Sequence, residues 1–547
     1  MYRKLLGVLL VVLVLAFVAA CGNGGDAPAA GGNGPAAGGD ATAAGGDTPA
    51  AGGDAPAGAG RSGRNLVIGT PAEPVHTTTM WNPGSGQMDH VLLYNIYDTL
   101  LYLAPDGSLQ PWLAEEWSVS PDGVRIYMRL RDDVLFHNGQ PLTSRDVAWT
   151  LNRISEYALG VALLVNYSHT EVVDDHNFII HLNYPFGPIL NALTSRVALI
   201  MSEYHYNAVG GLEAYRANPV GTGPFRFVSH TLGDSIVLEA FEDYWRGIAD
   251  FDTVTIRPIP DVNTLIIALE AGDIDVALDL PVGLLPFLGG NTSYHTVPSN
   301  GALYFTFNAI DTEANWVGRD LYFRKAVQYA VDKEAINTVV WNNQGLVTDL
   351  FGPPSFTTRP LPGTYYQYTR NVERAREFLA MSNYDGRDFN VVLTAGTPQH
   401  RAAEVMQGSL HEVGINMVIT AVDSPTFFDI TTNTGDFDAR MQISISSVFD
   451  LDWFGAYYDA SRHTFENTIY VDRATTDRLS YLITEQRRHA DQAMRLAMVT
   501  ELADIVLENA LQVFLVVDVN AVGFNADLVG VVADTARFNR IHSWRWS

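Results

Sequence analysis

The densest group of side chains able to do chemistry is Asp450-Leu451-Asp452, followed by Trp453-Phe454-Gly455-Ala456-Tyr457-Tyr458. In an extended segment residues two apart share a face, so Asp450 and Asp452 would act together as acid and base, the pair that cleaves a glycosidic bond. Placed at a helix start, the same acids would instead cap free N–H groups and complement the helix dipole. In a third reading the cluster lines a ligand pocket. Trp453 and Tyr457, one helical turn apart, then present flat faces that stack on a solute or cover a cation. Other chemistry is thin. His411-Glu412 lacks the second histidine that a zinc protease needs, because Ile415 stands four residues on. Gly221-Thr222-Gly223-Pro224-Phe225 offers glycines to an anion, but Pro224 has no N–H and the residues after it read as a strand, not a helix. There is no G-x-S-x-G elbow, no metal-ligand spacing and no cofactor fingerprint.

The elements that must position this cluster read as α/β. Leu66 to Gly69 is a short buried strand, and a helix is expected over Val91 to Leu101 with Leu92, Ile96 and Leu100 on one face. Trp117 to Leu130 reads as a hairpin around Pro121-Asp122-Gly123, its apolar Val124, Ile126, Met128 and Leu130 alternating with polar neighbours. Thr143 to Asp146 offers a capping box to a helix carrying Val147, Leu151 and Ile154. Two strand–helix–strand units follow, implying parallel pairing. One runs from Val254 through Leu265 and Leu269 to Ala277, with Gly272 closing the helix. The other runs from Val391 through a helix over Arg401 to Val413, stopped by Gly414, to Val422. Leu303 to Asn308 and Val513 to Val517 read as extended segments crossing between two bodies, the second preceded by a helix over Gln492 to Leu507.

At 547 residues the chain exceeds the ~250–300 that one core supports, so it divides into lobes. An apolar share of 47% supplies those cores. A net charge of −27, from 34 basic against 61 acidic residues, argues against nucleic acid and anionic lipid as partners. Met1 to Lys4 is a basic head before the apolar run Leu5 to Ala20, the layout of a secretory signal peptide. Val18-Ala19-Ala20-Cys21 resembles the bacterial lipobox, which makes Cys21, the single cysteine, the lipidated residue. Two acyl chains there suffice for a stable anchor. Gly22 to about Arg64 is Gly, Ala, Pro and Asp and reads as a tether reaching about 35–40 Å.

Gln110 to Arg153 (QPWLAEEWSVSPDGVRIYMRLRDDVLFHNGQPLTSRDVAWTLNR) is similar, in order, spacing and turn residues, to the extracellular solute-binding proteins of peptide- and nickel-type ABC importers, family 5. Asn218 to Gly247, Ala268 to Leu278, Tyr304 to Asn308, Phe323 to Ile336, Asn371 to Leu379 and His411 to Asn416 extend the resemblance over most of the chain beyond the tether. It implies a two-lobed, periplasmic-binding-protein-like clamp of type II with a small domain inserted in the first lobe. The first lobe comes from 65–100, 215–300 and 510–547, the insert from 101–214 and the second lobe from 301–509. It further implies a monomer, without cofactor, metal or catalysis, that takes a peptide-like or other small solute into the cleft and delivers it to the permease, touching the membrane only through its lipid. The family places an acidic D-x-D-x-F-like segment in the cleft, here Asp450, Asp452 and Phe454, with Trp453 and Tyr457 beside them. Asp89 and His90 are candidates from the opposing lobe, and Tyr304 and Asn308 from the crossing segment. Peptide-binding relatives carry a tryptophan and an amine-capturing aspartate just ahead of this segment, where this chain reads Ile443-Ser444-Ile445-Ser446-Ser447. The alternative function is a tethered hydrolase using Asp450 and Asp452.

Overall fold

The Asn65–Thr70 strand, with Leu66 and Ile68 fully buried, pairs in parallel with Thr253–Pro258 on one side and Val276–Leu278 on the other. Those two neighbours are the ends of the first strand–helix–strand unit, so the parallel arrangement expected of them is completed by a strand laid between. Their helix, Val262–Ala271, starts on Asp261, whose carboxylate accepts the Thr264 N–H at 2.8 Å, and stops at Gly272 with φ 76°. The second unit pairs its strands Phe389–Thr394 and Met417–Val422 directly. Its helix, Pro398–Val413, begins with a proline where no N–H is needed and ends on Gly414 at φ 98°.

The computed structural model describes residues 64–78, 87–104, 107–157, 164, 166–308, 316–350, 356, 368–445, 450, 452, 458, 472–489 and 491–547. The described residues belong to one compact unit, Arg61–Ser547. Cys21, the tether, Trp453, Phe454 and Tyr457 lie outside them. No helix among the described residues is long and apolar enough to cross a membrane.

Both strand–helix–strand units join one 11-stranded sheet. From one edge it runs Met417–Val422, Phe389–Thr394, Ala439–Ile445, Thr292–Phe307, Gln512–Asn525, Val276–Leu278, Asn65–Thr70, Thr253–Pro258, Ser235–Ala240 and Phe225–Thr231, with Leu346–Val347 set against Gln512–Asn525. The two longest strands, Thr292–Phe307 and Gln512–Asn525, pair antiparallel at its centre, with register shifts between Pro298 and Ala302 and between Leu303 and Tyr304. The expected segment Val513 to Val517 lies in these strands, as does Leu303 to Phe307 of the other, with Asn308 just beyond the strand end, and a wing of sheet extends from each side of the pair.

A separate four-stranded sheet orders Ala114–Val119, Arg125–Leu130, Asn177–Leu182 and Tyr167–Val172. Its first two strands are the expected hairpin, with Ile126, Met128 and Leu130 buried and Tyr127 and Arg129 outward. The helix Ser144–Ile154 carries the expected cap, the Thr143 N–H donating to Asp146 Oδ2 at 3.1 Å.

One helix is shorter than the sequence implies. His90–Ile96 ends four residues after Leu92, and Tyr97 is extended at φ −123°, ψ 158°. The chain turns there because Asp98 is drawn into a buried site, where it accepts from Trp112 Nε1 at 2.7 Å, Thr222 Oγ1 at 3.1 Å and Trp245 Nε1 at 3.2 Å. Burial raises the Asp98 pKa despite those donors. The Gly221-Thr222-Gly223 loop presses on the same helix end, since a Cβ on Gly221 would lie 2.0 Å from the Ile96 carbonyl oxygen. These glycines serve close packing, not an anion. His137 fixes the loop from the other side: Nδ1 accepts the Gly221 N–H at 3.3 Å and Nε2 donates to the Gly223 carbonyl at 2.9 Å.

Candidate functional site

A cavity of about 1000 Å³ lies where the two wings meet the central strands. That is at the upper end of small-molecule sites. One wing supplies the start of the Val262–Ala271 helix and the Val282–Phe287 turn. The other supplies the end of the Lys333–Trp341 helix and the start of Pro398–Val413, while Asp518, Val519 and Ala521 come from the central Gln512–Asn525 strand. Most of the lining is apolar, and two of its members, Phe287 at 77% and Val339 at 54%, are widely exposed. Apolar surface left open to this degree on the two walls of one cavity is what a solute, or closure over it, would cover.

Four charged side chains line the cavity: Asp279, Asp518, Arg537 and Arg401. Arg537 Nε donates to Asp279 Oδ1 at 2.7 Å and Nη2 to Asp518 Oδ2 at 3.1 Å. Trp341 Nε1 donates to the other oxygen of Asp518 at 2.9 Å. Burial disfavours the Arg537 charge, but the two carboxylates outweigh it and hold its pKa above the usual arginine range. Asp279 at φ 53° and Arg537 at φ 60° both have left-handed backbone, a conformation that costs non-glycine residues on the order of 1 kcal/mol and gathers at ligand sites. Arg401 is exposed and makes no hydrogen bond or ion pair among the described residues.

None of the described residues expected from the sequence to touch ligand lines this cavity. Asp450 is fully buried and paired with Arg495, whose Nη1 and Nη2 each donate at 2.7 Å, and Asn191 Nδ2 adds a third bond at 3.2 Å. Asp452 accepts from Arg487 Nε and Gln486 Nε2, both at 2.5 Å. The two acids therefore do not work as one acid–base pair, since each is neutralised by an arginine of its own. Asp89, 2% exposed, gathers the N–H groups of Val75 and His76 and the His76 ring, shaping a turn. His90 packs edge-on to Tyr94 and Phe538 and donates from Nδ1 to the Ala536 carbonyl at 3.2 Å. Burial and the charges of Arg196 and Arg537 push its pKa down to about 3. Tyr304, 1% exposed, accepts from Gln442. Asn308, fully buried, donates to the carbonyls of Gly435 and Phe437 at 3.0 and 2.9 Å.

The residues that do line the cavity had no local signal. Asp279 and Arg537 are 258 positions apart, and only the sheet order brings them together. No group of three or more potential metal-ligating side chains occurs among the described residues.

A family model described as bacterial extracellular solute-binding proteins, family 5 Middle, matches residues 108–466. The glutathione-binding protein GsiB of Pectobacterium atrosepticum is 28% identical over 347 residues, 60% of this chain and 64% of that protein. The match thus spans just under two thirds of that relative's length. Among solved structures, CtaP from Listeria monocytogenes superposes with a TM-score of 0.79 at 20% identity, covering 88% of this chain and 99% of its own. NikA from Brucella suis, in complex with Fe(III)-EDTA, gives 0.78 at 20% identity, with 88% and 100% covered. At such identities the two structures establish a shared fold, the type II clamp.

Proposed function

Because the chain belongs to the bacterial extracellular solute-binding proteins of family 5, we propose that it captures a small solute outside the cytoplasm and hands it to the permease of an ABC importer. The observation that carries this reading is the cavity of about 1000 Å³ walled by both wings of one sheet and floored by the strands they share. Two bodies joined through two strands form a hinge, and a solute touching both walls favours the closed state by whatever affinity it gains there. In this reading the first lobe is 65–100, 215–300 and 510–547, the insert 101–214 and the second lobe 301–509. The protein works as a monomer held to the membrane by a lipid on Cys21, beyond a flexible tether. The solute is peptide-like, and the GsiB relative makes glutathione the first compound to try. The hydrolase alternative gains no support, since the family is one of binding proteins and Asp450 and Asp452 are each tied to an arginine.

The test is equilibrium binding together with small-angle scattering. The purified chain should take up solute stoichiometrically and saturably, with a smaller radius of gyration at saturation and the solute recovered intact. A solute consumed with time, or an unchanged scattering profile at saturation, refutes the clamp.

A further inference from the structure

Resting on the clamp reading, we infer that residues 186–191 of the insert are a latch: they grip the second wing outside the solute cavity and set how far the clamp closes before any solute enters. The insert moves with the first wing. It is bonded there through the Trp112 indole on Asp98, through His137 on the Gly221 loop, and through the Ile200 N–H on the Asp98 carbonyl at 3.0 Å. The helices Arg473–Arg487 and Gln492–Glu508 belong with the second wing. Arg324 Nε donates to the Asn509 carbonyl at 3.1 Å and Tyr368 Oη to the Leu507 carbonyl at 2.6 Å, which ties the end of the longer helix to that wing.

Where these two bodies meet, the Gly187 N–H donates to the Arg487 carbonyl at 2.7 Å and Asn191 Nδ2 to Asp450 Oδ2 at 3.2 Å. The approach is close: a Cβ on Gly187 would lie 2.2 Å from the His489 carbonyl oxygen and 2.7 Å from Arg495 Cδ. Gly187 does not have left-handed backbone, so its own chain does not call for glycine. The facing wing does. The Asp450–Arg495 pair thereby gains a purpose, since the guanidinium fixes the carboxylate that Asn191 reaches and its stem is the floor under Gly187. Neither Gly187 nor Asn191 lines the cavity. The contact also lies off the central strand pair, so the wings cannot turn about that pair without parting it. Two hydrogen bonds across such a contact shift the ratio of closed to open clamp by roughly tenfold, and a solute that needs the closed form gains affinity in the same proportion.

The experiment measures the separation of the wings by double electron–electron resonance between spin labels on Ile267→Cys and Glu404→Cys. Both positions are exposed, each is on a helix of a different wing, and neither lines the cavity. Cys21→Ala in the same chain removes the single native cysteine. Without added solute, the chain with its latch intact should show a main population of short distances. Gly187→Ala should move at least half of that population outward by several ångströms and leave the circular dichroism spectrum unchanged. Asn191→Ala, which removes the bond to Asp450 and adds no bulk, should give a smaller shift in the same direction. Unchanged distances in Gly187→Ala overturn the latch, and if that variant does not fold, unchanged distances in Asn191→Ala do so. Repeating the measurement with a casein peptone of short peptides separates the latch from the clamp itself. Distances that shorten with peptone but ignore both substitutions remove the latch and keep the clamp, whereas distances that respond to neither remove both.

Discussion

Removing the carboxylate of Asp450 should unfold the protein more readily instead of merely weakening its hold on a solute. Arg495 is 2% exposed and Asp450 fully buried, with two bonds of 2.7 Å joining them. Burial lowers the arginine's hold on its proton, and Asp450 more than restores it, leaving its pKa above the usual value. In Asp450→Ala the guanidinium stays buried with only Gln486 Oε1 at 2.9 Å and the Gln486 carbonyl at 3.3 Å as neutral acceptors. Breaking a buried pair by removing one partner costs about 3–5 kcal/mol, because a charge is left without compensation. That is a large part of the 5–15 kcal/mol typical of a folded domain. Replacing both partners, Asp450→Leu with Arg495→Met, removes the stranded charge and should recover most of the loss. Urea unfolding of the wild type, both single variants and the double variant, followed by circular dichroism, gives the coupling directly. If Asp450→Ala unfolds at the wild-type urea concentration yet binds solute tenfold more weakly, Asp450 belongs to the cleft after all and the buried-pair account is wrong.

Three further outcomes are expected. His137, 9% exposed, has its pKa pushed down to about 4 chiefly by burial, so its contribution is present above pH 6.5 and is lost as the pH falls toward 4. The loss is about 2 kcal/mol by pH 5, and urea titrations from pH 7 to 4.5 should show a shallower decline in His137→Gln. Gly221→Ala should destabilise strongly or prevent folding, its Cβ meeting the Ile96 oxygen at 2.0 Å, whereas Gly408→Ala, with nothing within 4 Å inside the Pro398–Val413 helix, should raise stability by up to ~1 kcal/mol in the same unfolding assay. Cys21→Ala should abolish lipidation, and a variant that still partitions with membranes after signal cleavage removes the anchor assignment.

Much of the architecture was legible because it is locally encoded. Gly272 and Gly414 stop their helices where the periodicity ends, Thr143 and Asp146 start theirs, and Ile126, Met128 and Leu130 alternate as a half-buried strand must. The helix after Asp89 was overrun because Leu100 continues its apolar face, while the turn at Tyr97 is dictated by Trp112, Thr222 and Trp245, which meet Asp98 only in three dimensions. The site was illegible for a related reason. An aspartate among aromatics looks the same whether it faces solute or an arginine, and Arg495 lies 45 residues beyond Asp450. Asp279, by contrast, stands in unremarkable sequence, and its place in the cavity wall is fixed by Arg537, near the far end of the chain.

The order in which strands enter the central sheet also governs how the chain must fold as it is made. Strands Phe389–Thr394, Met417–Val422 and Ala439–Ile445 are close in sequence and can assemble soon after synthesis. The opposite wing cannot be finished then: Leu278 pairs with Val522, so the strand beginning at Val276 must keep an open edge until almost the whole chain has emerged. Such a wait slows folding and exposes a strand edge to wrong partners. A chain cut short before Gln512 loses more than a terminal strand, because the piece removed is the common partner of Thr292–Phe307 and Val276–Leu278, and without it the two wings are no longer one sheet.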